Sequence, residues 1–311
     1  MSAFKSYRTN RFTWTCAILA MSLSALASAA QAQKAYSSPE EGATALADAV
    51  KEGSRKTILK VLGDANDIIQ SGDDVADARA REKFLSAYDT KHSIKAEGNK
   101  KATLILGNDD FPFPIPLVNT RHGWEFDVDA GRREILYRRI GRNELDAIQA
   151  SLAFADAQNE YADKDRTGAG AGVYAQRIVS HPGTKDGLFW RDDNDKSPLG
   201  EFAARAAAEG YTANGEGREP YHGYYYRILK KQGPNAPGGA MPYVVNGKMI
   251  GGYALIAYPA EYGNSGVMTF MINHAGVVYQ KDLGERTAML AKRIQSFDPD
   301  HTWKKVEPVN P

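Results

Sequence analysis

The sequence predicts an α+β fold in two parts: helices and then a small antiparallel sheet up to residue 137, and from 138 onward a long helix packed on a larger antiparallel sheet. Three observations carry this prediction. Apolar residues recur at helical spacing near the start and again over residues 144–162, strand-like runs follow each helical region, and Gly/Asn turns join successive runs in the last third. Helices and strands that segregate in this way point away from a parallel α/β sheet.

Residues 1–32 predict an export signal. Lys5, Arg8 and Arg11 precede an apolar stretch from Trp14 to Leu26, and small residues then lead to Ala30-Gln31-Ala32. The stretch is too short and too interrupted by Ser to span a bilayer as a helix. Cleavage after Ala32 makes Gln33 the mature N-terminus, with a bacterial periplasmic or secreted product and no stable membrane span. Without the leader, 36 Lys and Arg face 38 Asp and Glu, a formal charge of −2, which argues against a nucleic-acid binder, since that would need a basic face. The single cysteine, Cys16, lies in the leader, so the mature chain has no disulfide and no thiolate nucleophile or ligand. No cofactor and no metal are expected.

The first predicted helix starts at Ser38-Pro39-Glu40-Glu41, where a capping Ser, a Pro and two acids suit a helix N-terminus. Ala43, Leu46, Ala47 and Val50 form its apolar face, which ends near Gly53. Further helices are expected over residues 57–62 and 75–88, the latter turning Ala78, Leu85 and Tyr88 inward. Residues 103–106 and 124–128 read as strands. Between them, Phe111-Pro112-Phe113-Pro114-Ile115-Pro116-Leu117 reads as an edge strand, because alternate prolines remove N–H groups on one side only.

Arg138-Arg139-Ile140-Gly141-Arg142-Asn143 is expected to lead into the long helix, 144–162, with Leu145, Ile148, Leu152 and Ala155 as its inward face. A short helix is expected near 201–209. Strands follow at 221–229, 253–258, 267–272 and 277–281, with an Asn246-Gly247 hairpin turn between 243–245 and 248–250, and a closing helix over 285–294.

Several of these segments resemble one bacterial family. FPFPIPLV from Phe111, RRIGRNEL from Arg138, SPLG from Ser197, PYHGYYYRILKKQG from Pro220 and GGYALIAYPAEYGNSGVMTFMINHAGVVYQKDLG from Gly251 are similar to the family catalogued as domain of unknown function 2950. The resemblance implies an exported protein and supplies no chemistry. The second part is also similar to the heads of type IV pilin-like and pseudopilin proteins, in which a long helix crosses an antiparallel sheet. It lacks their apolar N-terminal helix, and its own helix carries Asp146, Asp156 and Glu160.

Candidate chemistry is sparse. In a strand, His222, Tyr224 and Tyr226 share one face, and Tyr224, Tyr225 and Tyr226 are the expected ligand-binding group, either stacking on sugar rings or filling a half-buried sheet with hydroxyls at the rim. Asp186, Glu219 and His222 are the best acid/base group, at loop or strand edges where functional carboxylates project. His181, His222, His274 and His301 have no paired metal-ligand spacing. Ser265 in Gly263-Asn264-Ser265-Gly266 misses the nucleophile-elbow pattern and reads as a turn. Arg138, Arg139 and Arg142 with Glu134 and Glu144 suit either an anion site at a helix start or salt bridges joining the two parts. The favoured function is a non-catalytic envelope module for a protein partner or a glycan. The alternative is a hydrolase of an envelope polymer.

Overall fold

The computed structural model describes residues 33–69, 74–168, 170–192, 194–202 and 220–307. The leader, most of the short helix expected near 201–209, and Glu219 lie outside these described residues.

Four helices open the described chain: α1 (Pro39–Glu52), α2 (Arg55–Leu62), α3 (Asn66–Ile69) and α4 (Asp74–Thr90). Ser38 Oγ accepts the Glu41 N–H at 3.1 Å, and Pro39 sits in the first turn, where no N–H is needed. The Glu41 carboxylate reaches past the cap and accepts from the Ser37 N–H and hydroxyl at 2.9 and 2.6 Å. Ala43, Leu46 and Ala47 are buried as their spacing predicts.

The first sheet is antiparallel and contains β1 (His92–Glu97), β2 (Lys101–Leu106), β3 (Phe111–Pro112), β4 (Leu117–Thr120) and β5 (Gly123–Phe126). Its order is β1-β2-β4-β5, with β3 also paired to β2. β2 alternates as predicted and buries Ala102, Leu104 and Leu106. β1 was not expected; it is an outer strand with almost no buried side chain, so it carries no alternation to read.

The proline-rich segment is an edge strand at its start, where β3 pairs with β2 alone among the described residues, but not at its end. β3 pairs with β2 through Leu106↔Phe111, and the Phe113 N–H donates to Leu104 O at 2.7 Å. The chain then bulges over residues 114–116 and rejoins β2 at Ala102↔Leu117, two residues out of the earlier register, while β4 pairs with β5 on its far side. Pro114 and Pro116 fall where no ladder N–H is lost, which lets them sit inside a sheet.

α5 (Val128–Ala162) is a single helix of 35 residues, about 52 Å along its axis. It starts 16 residues before the expected position, directly after β5, so the expected strand over 124–128 stops at Phe126. Asp127 is the cap, its carboxylate accepting the Ala130 N–H at 2.9 Å. Residues 138–143 are therefore helical, and the expected division at 137/138 falls inside α5. The helix approaches the first half so closely that a Cβ on Gly131 would stand 2.6 Å from Ile115 Cγ1.

The buried face of α5 also differs from the expected one. Ala147, Ala150, Ser151, Phe154, Gln158 and Tyr161 are buried, whereas Leu145 is exposed, and Ile148 and Leu152 are only partly covered. Alanines let the helix lie near the sheet, and the leucines fall to the margin. Gln158 is fully buried and bonds both backbone groups of Ala175, donating at 2.8 Å and accepting at 2.9 Å.

The second sheet has the order β14-β13-β12-β11-β6, all antiparallel: β6 (Tyr224–Leu229), β11 (Ala254–Pro259), β12 (Met268–Asn273), β13 (Tyr279–Asp282) and β14 (Lys304–Lys305). Two ribbons flank it, β7 (Lys231–Gln232) with β8 (Met241–Pro242), and β9 (Val244–Val245) with β10 (Lys248–Met249). The second ribbon turns at Asn246-Gly247, both at positive φ, as predicted. All six residues of β11 are buried, because α5 and α6 (Thr287–Arg293) both pack on it. Arg227 of β6 donates to the carbonyls of Ala291 and Ile294 at 2.8 and 2.6 Å and so closes the C-terminus of α6.

Candidate functional site

Three segments meet at the middle of α5: residues 139–146 of the helix, the turn at 221–224 and the loop at 260–267. The Glu144 carboxylate accepts the N–H groups of Val267 and Met268 at 2.9 and 3.0 Å. Asn143 Nδ2 donates to Ser265 O at 2.8 Å, and the Arg139 guanidinium donates to Asn264 Oδ1. Ser265 Oγ donates to Gly223 O at 2.8 Å and accepts the Glu261 N–H at 3.0 Å, so its hydroxyl serves the turn, as its sequence context predicts. Gly223 has φ 72°, and a Cβ there would stand 2.7 Å from Asn143 Nδ2.

This frame presses His222 against the helix. His222 Nδ1 donates to Asp146 Oδ2 at 2.5 Å, and the Tyr221 ring meets the imidazole edge-on, with centroids 4.2 Å apart. His222 has φ 47°, a left-handed conformation that residues other than glycine seldom adopt. A carboxylate on Nδ1 fixes the tautomer and the ring orientation, which is the arrangement that poises an imidazole for proton transfer at Nε2.

The structure redistributes the residues singled out in the sequence. The strand expected from Tyr221 begins at Tyr224, so His222 lies in a turn and does not share a strand face with Tyr224 and Tyr226. Tyr224 is core: it is fully buried, its hydroxyl donates to Met268 O at 2.9 Å, and burial pushes its pKa far above the ordinary phenol value. Tyr225 and Tyr226 are half-buried against the same core.

Asp186 is bonded within its own loop. It accepts from the His181 N–H at 2.9 Å, the Thr184 hydroxyl at 2.7 Å and His181 Nδ1 at 2.5 Å. Burial alone would raise its pKa, but the hydrogen bonds from Thr184 and His181 outweigh it and hold the carboxyl at about 2. Asp186 therefore belongs with His181, not with His222, and Glu219 lies outside the described residues.

The arginine cluster is not a salt-bridge network between the two parts. Arg138 pairs with Glu134 on its own helix at 2.8 Å and donates to Pro112 O, while Arg139 and Glu144 bond the 260–267 loop. Asp146, which the sequence marked only as a charge on the helix, is the partner of His222. The two are 76 residues apart, and no local pattern announces the pairing. His274 is an exposed residue beside the Tyr243 and Tyr253 rings, and partial desolvation there lowers its pKa. Among the described residues no group of His, Cys, Asp or Glu is arranged to hold a metal ion.

Fold and site together define an α+β protein whose two cores share one helix, with a histidine–carboxylate pair where that helix meets the second sheet. The family model described as "Protein of unknown function (DUF2950)" matches residues 33–306, and the chain belongs to that family. No curated protein and no solved structure matches it. Among the described residues no helix is long and apolar enough to cross a membrane.

Proposed function

We propose that this chain is a non-catalytic binding module of the bacterial envelope, periplasmic or secreted, that engages a partner protein through the outer face of α5. One observation carries the reading: two large apolar side chains stand exposed on the solvent face of a helix whose other face is packed. Tyr137 is 62% exposed and Leu145 49%, and Gly141, midway between them on the same face, has open space above it. Phe111, 52% exposed, stands nearby with the Arg138 guanidinium 4.9 Å over its ring. Two large side chains flanking a small one form a notch that suits an apolar anchor from a partner. Arg133 and Arg142 on α5 make no ion pair among the described residues, which favours an acidic partner surface. The order of basic, apolar and small residues in the leader supports export.

A glycan platform has less support, since Tyr224 belongs to the core. Combining Tyr137→Ala with Leu145→Glu should shift unfolding by no more than about 0.5 kcal/mol, because both sites are exposed. The double variant should also lose the envelope protein that the wild type retains. A variant that keeps the same partner removes the reading. The His222–Asp146 pair favours a hydrolase of an envelope polymer as the second reading; product release abolished by His222→Gln would establish it.

A further inference from the structure

The first half carries a cleft that the α5 interface does not use. It opens between α1, α2, α3, α4 and the proline-rich segment and has a volume of about 270 Å³. Its walls are apolar, with Leu46 from α1, Ile58 from α2, Phe84 from α4 and Phe113 from the proline-rich bulge. Among the described residues, the charged groups lining it are two arginines. Arg55 donates through Nε and Nη2 to the neutral Asn66 Oδ1 at 3.2 and 2.7 Å. Among the described residues, Arg81, half-buried on α4, makes no hydrogen bond or ion pair, and no carboxylate lines the cleft.

Two cations without counter-charge at an apolar cleft define a complementary ligand, with an anionic head for the guanidinium groups and an apolar body for the walls. Because the volume lies below the ordinary range of about 300–1,000 Å³ for small-molecule pockets, the body is one short chain and not a two-chain lipid. We propose that this cleft binds a single-chain alkyl carboxylate, its head on Arg81 and Arg55 and its chain between Ile58, Phe84 and Phe113. The site is separate from the exposed α5 face, and either can fail without the other.

Decanoate and its uncharged analogue decanol, titrated calorimetrically into the purified protein, test the assignment. Decanoate should bind at least about tenfold more tightly than decanol, since the charge-assisted contacts are available to the carboxylate only. Arg81→Gln should collapse that ratio toward one. Ala80→Trp, at an exposed position that lines the cleft, should block both ligands while leaving thermal unfolding unchanged. The proposal is overturned if decanoate shows no saturable binding, if Arg81→Gln preserves the ratio, or if Ala80→Trp leaves affinity intact. It is equally overturned if decanoate binds only by dissociating a dimer of the protein, since the cleft would then belong to a second copy of this chain.

Discussion

Asp186 is a carboxylate that its own loop keeps ionised. With its pKa held at about 2, below the ordinary aspartate value of 3.8, it binds its proton more weakly folded than unfolded. The stabilisation is therefore complete above about pH 4 and is lost as pH falls toward 2. The side chain is about a third exposed, and solvent screening limits the effect to about 1 kcal/mol. Urea midpoints of the wild type and Asp186→Asn should thus differ at about pH 5 and converge near pH 2; an equal gap at both would sink the argument. His181 lies five residues from Asp186, so this pair was within reach of a local reading. The His222–Asp146 pair was not, because it depends on the turn at Gly223 and on where α5 lies. Asn246-Gly247 was legible for the opposite reason: two residues that tolerate positive φ specify their turn without help from the fold.

α5 shows how an element can be anticipated and still be misread. Its C-terminal end falls at Ala162 as expected, and its packing on the second sheet was foreseen. Its N-terminal half was missed because Gly131, Gly141 and a run of arginines break the apolar periodicity, although the Asp127 cap marks the start. The expected face is right at Ala155 and partly right at Ile148 and Leu152, but Leu145 is exposed and the centre of the buried face is shifted to Ala147, Phe154 and Tyr161, because only tertiary packing selects which residues lie at the centre. The energetic consequence is specific. Truncating Phe154, which is buried, to Ala should destabilise by about 3–5 kcal/mol, whereas Leu152→Ala, at the margin, should cost about 1–2. Chemical denaturation of both variants measures this, and equal losses would restore the leucine face. The proline-rich segment was legible at Phe111-Pro112, which pairs with β2 alone among the described residues, and misread at its end, because alternate prolines specify where N–H groups are missing but not that a bulge returns Leu117 to the inside of the sheet.

At the scale of the whole molecule, the two cores are tied to the two ends of one helix. Arg132 on α5 bonds Asp67 and Asp64 of the first half, and Asn143 and Glu144 bond the 260–267 loop of the second. Between these anchors lies Gly141, which has open space around it. Unbroken helix there should make unfolding of the two cores cooperative. Gly141→Pro, which removes an intrahelical hydrogen bond at a cost of about 3 kcal/mol, should divide one calorimetric transition into two, and a single transition in the variant would show that the cores couple by another route. The α+β class was legible because local periodicity distinguishes helix from strand. The joining of two cores by one rod was not, because continuity across residue 137 depends on what each half packs against.

That rod has a mechanical consequence. A bar about 52 Å long, clamped at one end by Gly131 against Ile115 and pressed at the other by Phe154 and Tyr161 on the second core, behaves as a lever. One degree of tilt at its first turn displaces its last by about 1 Å, a distance that close-packed side chains register. The bulge at residues 114–116 supplies the fulcrum, since Ile115 projects from it into the space where Gly131 has no side chain. Small changes in the angle between the two halves are thus converted into strain at the far sheet, and the glycine sets the leverage.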